Sequence, residues 1–267
     1  MKFKDKIRIL LFNLLGEKNV DNLRYLKFSY KFSKFSKYKD KNLFAKKFSE
    51  FYEPEMKLIP KILDNPQTII DIGANYGPYS FFFSKLYPKS RIFAFEPASC
   101  SYNILQKIIK KFNLINVIPI KKGLGSKEEN KEIVMPIQYT ILAYVSDKNT
   151  PKRKEDKSEE INITTLDNFV KRNKIPKIDF IKCDVEGFEF EIFKGAKKTL
   201  KKFKPLIFVE IEERHTKKYK INPEKIRQFF NKIDYFCYSV KGENILKTKT
   251  ITKEIPLYLF VPKNKKI

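Results

Sequence analysis

Residues Thr68–Ser80 read TIIDIGANYGPYS. A short apolar run closes on the acid Asp71, two glycines at 73 and 77 bracket three residues, and Pro78 opens an aromatic run. The apolar run has the length of a strand and is bounded by glycine, which marks its end. Proline suits a first helical position, where its missing N–H costs nothing, so a helix starts just after Gly77. The stretch is a strand–turn–helix unit, and what its glycine turn can hold decides the fold.

Outward from this unit the same alternation continues. Short apolar runs, RIFAFE (91–96), NVIPIKK (116–122), IDFIKCD (178–184), PLIFVEI (205–211), DYFCYSV (234–240) and IPLYLFV (255–261), alternate with helical segments such as SCSYNILQKIIKKF, TTLDNFVKRN and NPEKIRQFFNKI. Several runs are nearly continuously apolar, which requires cover on both faces. The expectation is an α/β fold with a doubly wound, mainly parallel sheet and helices on each side. A helix is expected over 188–203. Residues 148–160, KNTPKRKEDKSEE, are charged and almost free of apolar side chains, and read as an exposed loop inside the domain. No internal repeat is visible.

Three nucleotide-binding turns compete for the loop after the first strand. A phosphate-binding loop needs Lys-Ser/Thr after its last glycine, and none follows Gly77. A dinucleotide fingerprint, read from Gly73, would place Asn75 and Pro78 at its second and third glycines. The acidic Asp/Glu-x-Gly-x-Gly-x-Gly loop that receives S-adenosylmethionine fits Asp71, Gly73 and Gly77, with Asn75 in place of the middle glycine. That cofactor has no phosphate and carries a sulfonium and an ammonium, so a strand-end carboxylate suits it and a basic loop residue is not needed. Glycines allow close backbone approach. The second strand ends in FAFEP, where Glu96 is placed to accept both ribose hydroxyls and Pro97 follows it into the turn.

Taken together, IIDIGANYG, IFAFEP, ITTLDNF, IDFIKCDVEGFEFEIFKGA and KPLIFVEIEERH resemble the FkbM-type methyltransferase family in order and spacing, over roughly residues 50–262. Asn75 departs from methyltransferases in general and matches this family. The resemblance implies a class I, Rossmann-like methyltransferase fold: a seven-stranded sheet, mostly parallel, with the last strand antiparallel. It also implies O-methylation, often of a sugar hydroxyl in a surface glycan or glycolipid precursor. Residues 1–45 fall outside it as a basic helical extension, and residues 46–267 form the catalytic domain.

A hydroxyl is a poor nucleophile while it keeps its proton, so the site needs a base or a metal near the sulfonium. Asp184 closes the fourth strand, which in this fold ends beside the methyl group, and Glu186 follows two residues later. They orient substrate or cofactor on one reading, and on the other they favour the helix N-terminus electrostatically. His215, the single histidine, lies in the loop after the fifth strand and is the natural base near neutral pH. Glu210, ending that strand, either orients His215 or joins Asp184 around Mg2+; the sequence leaves base and metal open. Lys122–Ser126, with Gly123, Leu124 and Gly125, is placed to wrap the adenine, and Tyr52 and Glu53 to cap the cofactor from upstream.

The chain has 267 residues, 56 Lys+Arg against 31 Asp+Glu, and a net charge of +25. Such a balance points to nucleic acid, an acidic membrane surface or anionic substrates. Codon bias is an equal explanation, since Lys, Ile, Asn and Phe abound and Trp is absent. The charge invites an RNA methyltransferase as the alternative, and the lack of an RNA-binding module and of an Asn/Asp-Pro-Pro-Tyr/Phe signature after the fourth strand speaks against it; a methyltransferase acting on another small molecule, and a fold retained only as a membrane-associated scaffold, are the further readings. Cys100, Cys183 and Cys237 are far apart and odd in number, and suggest neither a disulfide framework nor a zinc site, which fits a reducing cytoplasm. The opening MKFKDKIRILLFNLLGEKN interleaves charge with apolar residues and reads as a helix, not a signal peptide. Phe28, Phe32 and Phe35 recur at helical spacing with lysines between them. That predicts either an amphipathic helix laid aromatic side inward on the core, or a segment that binds anionic lipid.

Overall fold

The computed structural model describes residues 16–136, 143–146 and 156–267. The helix expected over the first fifteen residues, and much of the charged 148–160 stretch, lie outside the described residues.

The strands of the main sheet are β1 (Thr68–Ile72), β2 (Arg91–Phe95), β3 (Val117–Ile120), β8 (Phe180–Cys183), β9 (Leu206–Glu210), β10 (Tyr235–Lys241), β11 (Asn244–Lys247) and β12 (Leu257–Pro262), with β4–β7 in a second sheet. Their order is β11-β10-β12-β9-β8-β1-β2-β3. β3, β2, β1, β8 and β9 run parallel, and β12 pairs antiparallel with both β9 and β10. The apolar runs are buried on both sides because successive side chains feed two separate cores. Ile70, Phe93, Ile181 and Ile207 belong to one, and Ile69, Ala94, Phe180 and Leu206 to the other.

The expected seven-stranded sheet has an eighth member. β11 turns back on β10 through Gly242 (φ +60°) in a two-residue connection, Lys241 pairing with Asn244. Its Leu246 is 67% exposed, so half of this strand carries no burial signal. A second sheet, β4 (Gly123–Leu124), β7 (Lys157–Thr164), β5 (Glu129–Met135) and β6 (Tyr144–Val145) in that order, reaches with β7 into the stretch expected to be a loop. β7 starts inside the charged stretch because Lys157–Glu160 pairs with β5 while alternate side chains face solvent.

One face of the main sheet is covered by α1 (Glu17–Ser36), α2 (Lys41–Phe51), a 3-10 turn and α3 (Ile59–Ile62), α4 (Pro78–Leu86) and α5 (Ser99–Lys111). The other carries α6 (Leu166–Arg172), α7 (Glu189–Lys194), α8 (Lys197–Phe203) and α10 (Glu224–Asn231), with the short α9 (Glu213–Thr216) at the strand ends. In α1, Phe28, Phe32 and Phe35 are buried, and Phe32 stacks on Phe81 of α4 with ring centroids 4.7 Å apart. The expected helix over 188–203 is broken at Gly195. A Cβ there would lie 2.0 Å from the Gly125 carbonyl oxygen, so the chain turns against that backbone. α8 then starts afresh, its Lys198 and Thr199 N–H groups donating to the Asp167 carboxylate at 3.0 and 2.7 Å. Among the described residues no helix is long and apolar enough to cross a membrane.

Candidate cofactor cleft

The strand order reverses at β1, with β2 on one side and β8 on the other, and a crevice opens there at the carboxyl ends of the strands. Its cavity volume is about 170 Å³, and it is open to solvent on one side. Its floor is zipped shut by backbone bonds from the strand ends: Gly73 and Ala74 N–H to the Phe95 carbonyl, Asp184 N–H to Ile72, Glu96 N–H to Ile120.

Gly73, Asn75, Glu96 and Pro97 line this crevice together. So do Gly123, Leu124, Asp184 and Glu186, as well as Glu53 and Lys122. The second sheet adds Ile133 and Val145 as apolar wall. Asp71, Gly77, Tyr52, Glu210 and His215 are not part of the lining.

The turn is built by its backbone. Gly73 (φ +74°) has no room for a side chain, because a Cβ would sit 1.9 Å from the Asp184 carbonyl oxygen. Its hydrogen lets two strand ends touch, whereas the sequence suggested approach to a ligand. Asn75 takes the left-handed conformation (φ +52°) that asparagine tolerates, and its side-chain oxygen accepts the Tyr76 N–H at 2.8 Å. Gly73→Ala is expected to cost about 1–3 kcal/mol of stability from the positive φ alone, before any overlap. Gly123→Ala, whose nearest atoms would stand at 3.4 Å, is expected to be near neutral. Thermal unfolding of the two variants makes the comparison.

Glu96 ends β2 as expected, 6% exposed. Oε2 accepts the Asn75 N–H and Oε1 the Ala98 N–H, both at 2.8 Å. A carboxylate oxygen has room for two donors, so each retains capacity for a ligand hydroxyl. Burial pushes this carboxyl up to about 7, with the two backbone donors and Lys182 pulling it back.

Lys182 has no counterpart among the candidate residues read from sequence. It sits in the middle of β8, 5% exposed, directly across from Asp71 of β1. Its Nζ lies 3.3 Å from Asp184 Oδ2, 3.4 Å from the Gly73 carbonyl and 4.9 Å from the Tyr79 ring centre. Burial opposes its charge, but Asp184, Asp71 and Glu53 outweigh burial and hold it firmly protonated. Asp71 is fully buried beneath the turn, accepting from Ser80 Oγ at 2.6 Å, with Oδ1 left without a hydrogen bond. Burial raises it while Lys182 and Ser80 lower it. Its influence on a ligand therefore runs through Lys182 and the turn. Glu53, also raised by burial, accepts from Tyr79 Oη at 2.5 Å.

The turn after β8 is strained: Glu186 has φ +58° and Gly187 φ +107°. It is held by Glu189, a residue sequence reading passed over, whose Oε1 accepts from Gly187 at 3.0 Å and Val185 at 3.3 Å. Behind Glu186 lies His215, its Nδ1 3.0 Å from Glu186 Oε2. That oxygen has no hydrogen-bond donor, so the two form an ion pair only once the imidazole is protonated. Glu210, at the end of β9, has its carboxyl raised by burial and by the Asp184 charge, with Glu212 beside it. Among the described residues no group of three or more His, Cys, Asp or Glu side chains is arranged to hold a metal, and the donor set does not fit Mg2+.

A mainly parallel sheet with β12 inserted antiparallel, a ligand crevice at the switch point, and an acid at the tip of β2 together define a Rossmann-like methyltransferase architecture. The chain belongs to the methyltransferase FkbM domain family, which it matches over residues 71–237. It is similar to the crystal structure of methyltransferase FkbM from Methylobacillus flagellatus KT, with TM-score 0.50 and 16% identity, over 82% of this chain and 50% of that one. It is 26% identical over 146 residues to Methyltransferase 1 of Beauveria bassiana, covering 48% of this chain and 57% of that protein. It is 26% identical over 156 residues to the hexuronic acid methyltransferase AglP of Haloferax volcanii, covering 58% of this chain and 60% of that protein. The chain thus spans little more than half the length of the relatives it matches.

Proposed function

We propose that this protein transfers a methyl group from S-adenosylmethionine to a hydroxyl, the acceptor being a sugar of a glycan or glycolipid precursor. The observation that carries the cofactor half is Glu96: a buried carboxylate at the tip of β2, anchored by two backbone donors and with acceptor capacity left on both oxygens. When bound, S-adenosylmethionine supplies a methyl carbon on a sulfonium that leaves as a neutral thioether.

The residues of the chain divide the remaining work. Glu96 fits the ribose diol, and Gly123, Leu124 and Pro97 offer an apolar, close-approaching wall for the base. Asp184 and Glu186 line the same wall of the crevice. Asp184 is committed to Lys182, whereas Glu186 is backed by an imidazole. A proton taken from the acceptor hydroxyl by Glu186 can therefore be stored on His215, with no metal required. Support for a sugar acceptor is the hexuronic acid methyltransferase among the relatives.

Incubation with methyl-labelled S-adenosylmethionine and a panel of sugars, uronic acids and host glycan extracts tests the reading. Label is expected in a sugar methyl ether. Label found only in RNA would replace the acceptor with the alternative one, and absence of cofactor binding by calorimetry would remove the reading altogether.

A further inference from the structure

Among the described residues, the large apolar side chains left exposed are concentrated at one place. Leu23, Leu26, Tyr30, Leu43 and Phe51 belong to α1 and α2, against only Ile115, Leu246 and Ile267 elsewhere. The three on α1 are 54%, 57% and 64% exposed and fall at i, i+3 and i+7, one stripe on a helix. They lie opposite Phe28, Phe32 and Phe35, which are buried. α1 is thus apolar on two faces, only one of which is covered among the described residues.

The uncovered stripe is flanked by cations. Lys27, Lys34 and Lys37 are exposed and share its side of the helix, and Lys34 Nζ lies 4.6 Å from the Tyr30 ring centre. Two neighbouring acids are engaged elsewhere: Asp21, within α1, pairs with Arg24 at 3.0 Å, and Asp40 caps α2 by accepting the Leu43 N–H at 2.7 Å. Aliphatic and aromatic bodies rimmed by long cationic side chains match the boundary between acyl chains and anionic headgroups. The same helix touches the cofactor crevice, since Phe28 stacks on Tyr76 with centroids 3.4 Å apart and Tyr76 lines that crevice.

We propose that the outer face of α1, through Leu23, Leu26 and Tyr30 with Lys27, Lys34 and Lys37, docks the protein on an anionic phospholipid surface and brings the crevice to the membrane. This holds whatever the methyl acceptor proves to be, and its test reads lipid binding alone. Flotation of the full chain with phosphatidylcholine vesicles, with and without phosphatidylglycerol, is expected to show binding only when the anionic lipid is present. Replacing Lys27, Lys34 and Lys37 by Gln is expected to weaken partitioning about a hundredfold, near fivefold per lysine. Replacing Leu23, Leu26 and Tyr30 by Gln is expected to weaken it roughly tenfold or more with charge unchanged. Gln is a good helix former, so both variants keep the parent's helical circular dichroism.

Indifference of the protein to anionic vesicles overturns the proposal. So does binding that survives the apolar substitutions, which would be generic attraction of a basic protein. Two further outcomes would give the stripe to another occupant: a concentration-dependent dimer abolished by the Leu23, Leu26 and Tyr30 changes, or RNA that displaces the vesicles.

Discussion

Lys182→Met is expected to lower the free energy of unfolding by roughly 3–5 kcal/mol at pH 8, the cost of leaving buried charge without its partner. Much of that deficit is expected to vanish by pH 5. The variant leaves Asp71, Glu53 and Asp184 facing an apolar side chain of similar length. Burial already raises Asp71 and Glu53, and Lys182 is among the groups that lower both. Without it their folded values climb further above the ordinary carboxyl value of about 4. A carboxyl raised on folding binds its proton more tightly in the folded state. It therefore costs stability at pH values above its raised folded value, and the cost fades as pH falls toward the unfolded one. Urea unfolding from pH 5 to 8 measures this. A deficit of the same size at every pH would mean that packing, not charge, is what Lys182 supplies. Adding Asp71→Asn to Lys182→Met is expected to restore part of the loss, since the two residues face each other across β1 and β8.

That pairing shows how far the sequence could be read. FIKC is a strand that must be buried on both faces, and a lysine inside it demands a partner. TIIDI poses the same demand through Asp71. Both demands are visible in the sequence, but which strand lies beside which, and in what register, is a long-range property that no local pattern carries. Glu96 and the glycine turn were legible because a tight turn and a strand-end acid are local signals within one βαβ unit. The reason for Gly73 was not legible, because the atom that excludes its side chain belongs to Asp184, 111 residues away. The start of β7 read as a loop because alternation with exposed lysines and glutamates looks like a charged loop until its pairing with β5 is known. His215 shows a different limit. Its residue type suggested a base at the ligand, while the structure places it one side chain back, behind Glu186.

Affinity for S-adenosylmethionine is expected to fall about tenfold for each pH unit below the Glu96 value of about 7, and to level off above it. The ionised carboxylate offers only acceptors, so it can take two ribose hydroxyl donors in addition to the Asn75 and Ala98 N–H groups. Protonation turns one oxygen into a donor and leaves a ribose hydroxyl unmatched. Binding must therefore drive the proton off, and a pH-dependent affinity is the linked consequence. Glu96→Gln mimics the protonated state, since its amide donates where the carboxylate accepts. The variant is expected to bind on the order of a hundredfold more weakly at pH 8, about 3 kcal/mol for two hydrogen bonds to a charged group. It is also expected to lose the pH dependence between 6 and 8 that the parent shows. Calorimetric titrations of both proteins across that range decide the matter. A parent whose affinity is flat through pH 7, or a Glu96→Gln variant that keeps the slope, would assign the titrating group elsewhere. Glu189, also pushed up to about 7 by burial but committed to the Gly187 and Val185 amides, would then be the next candidate.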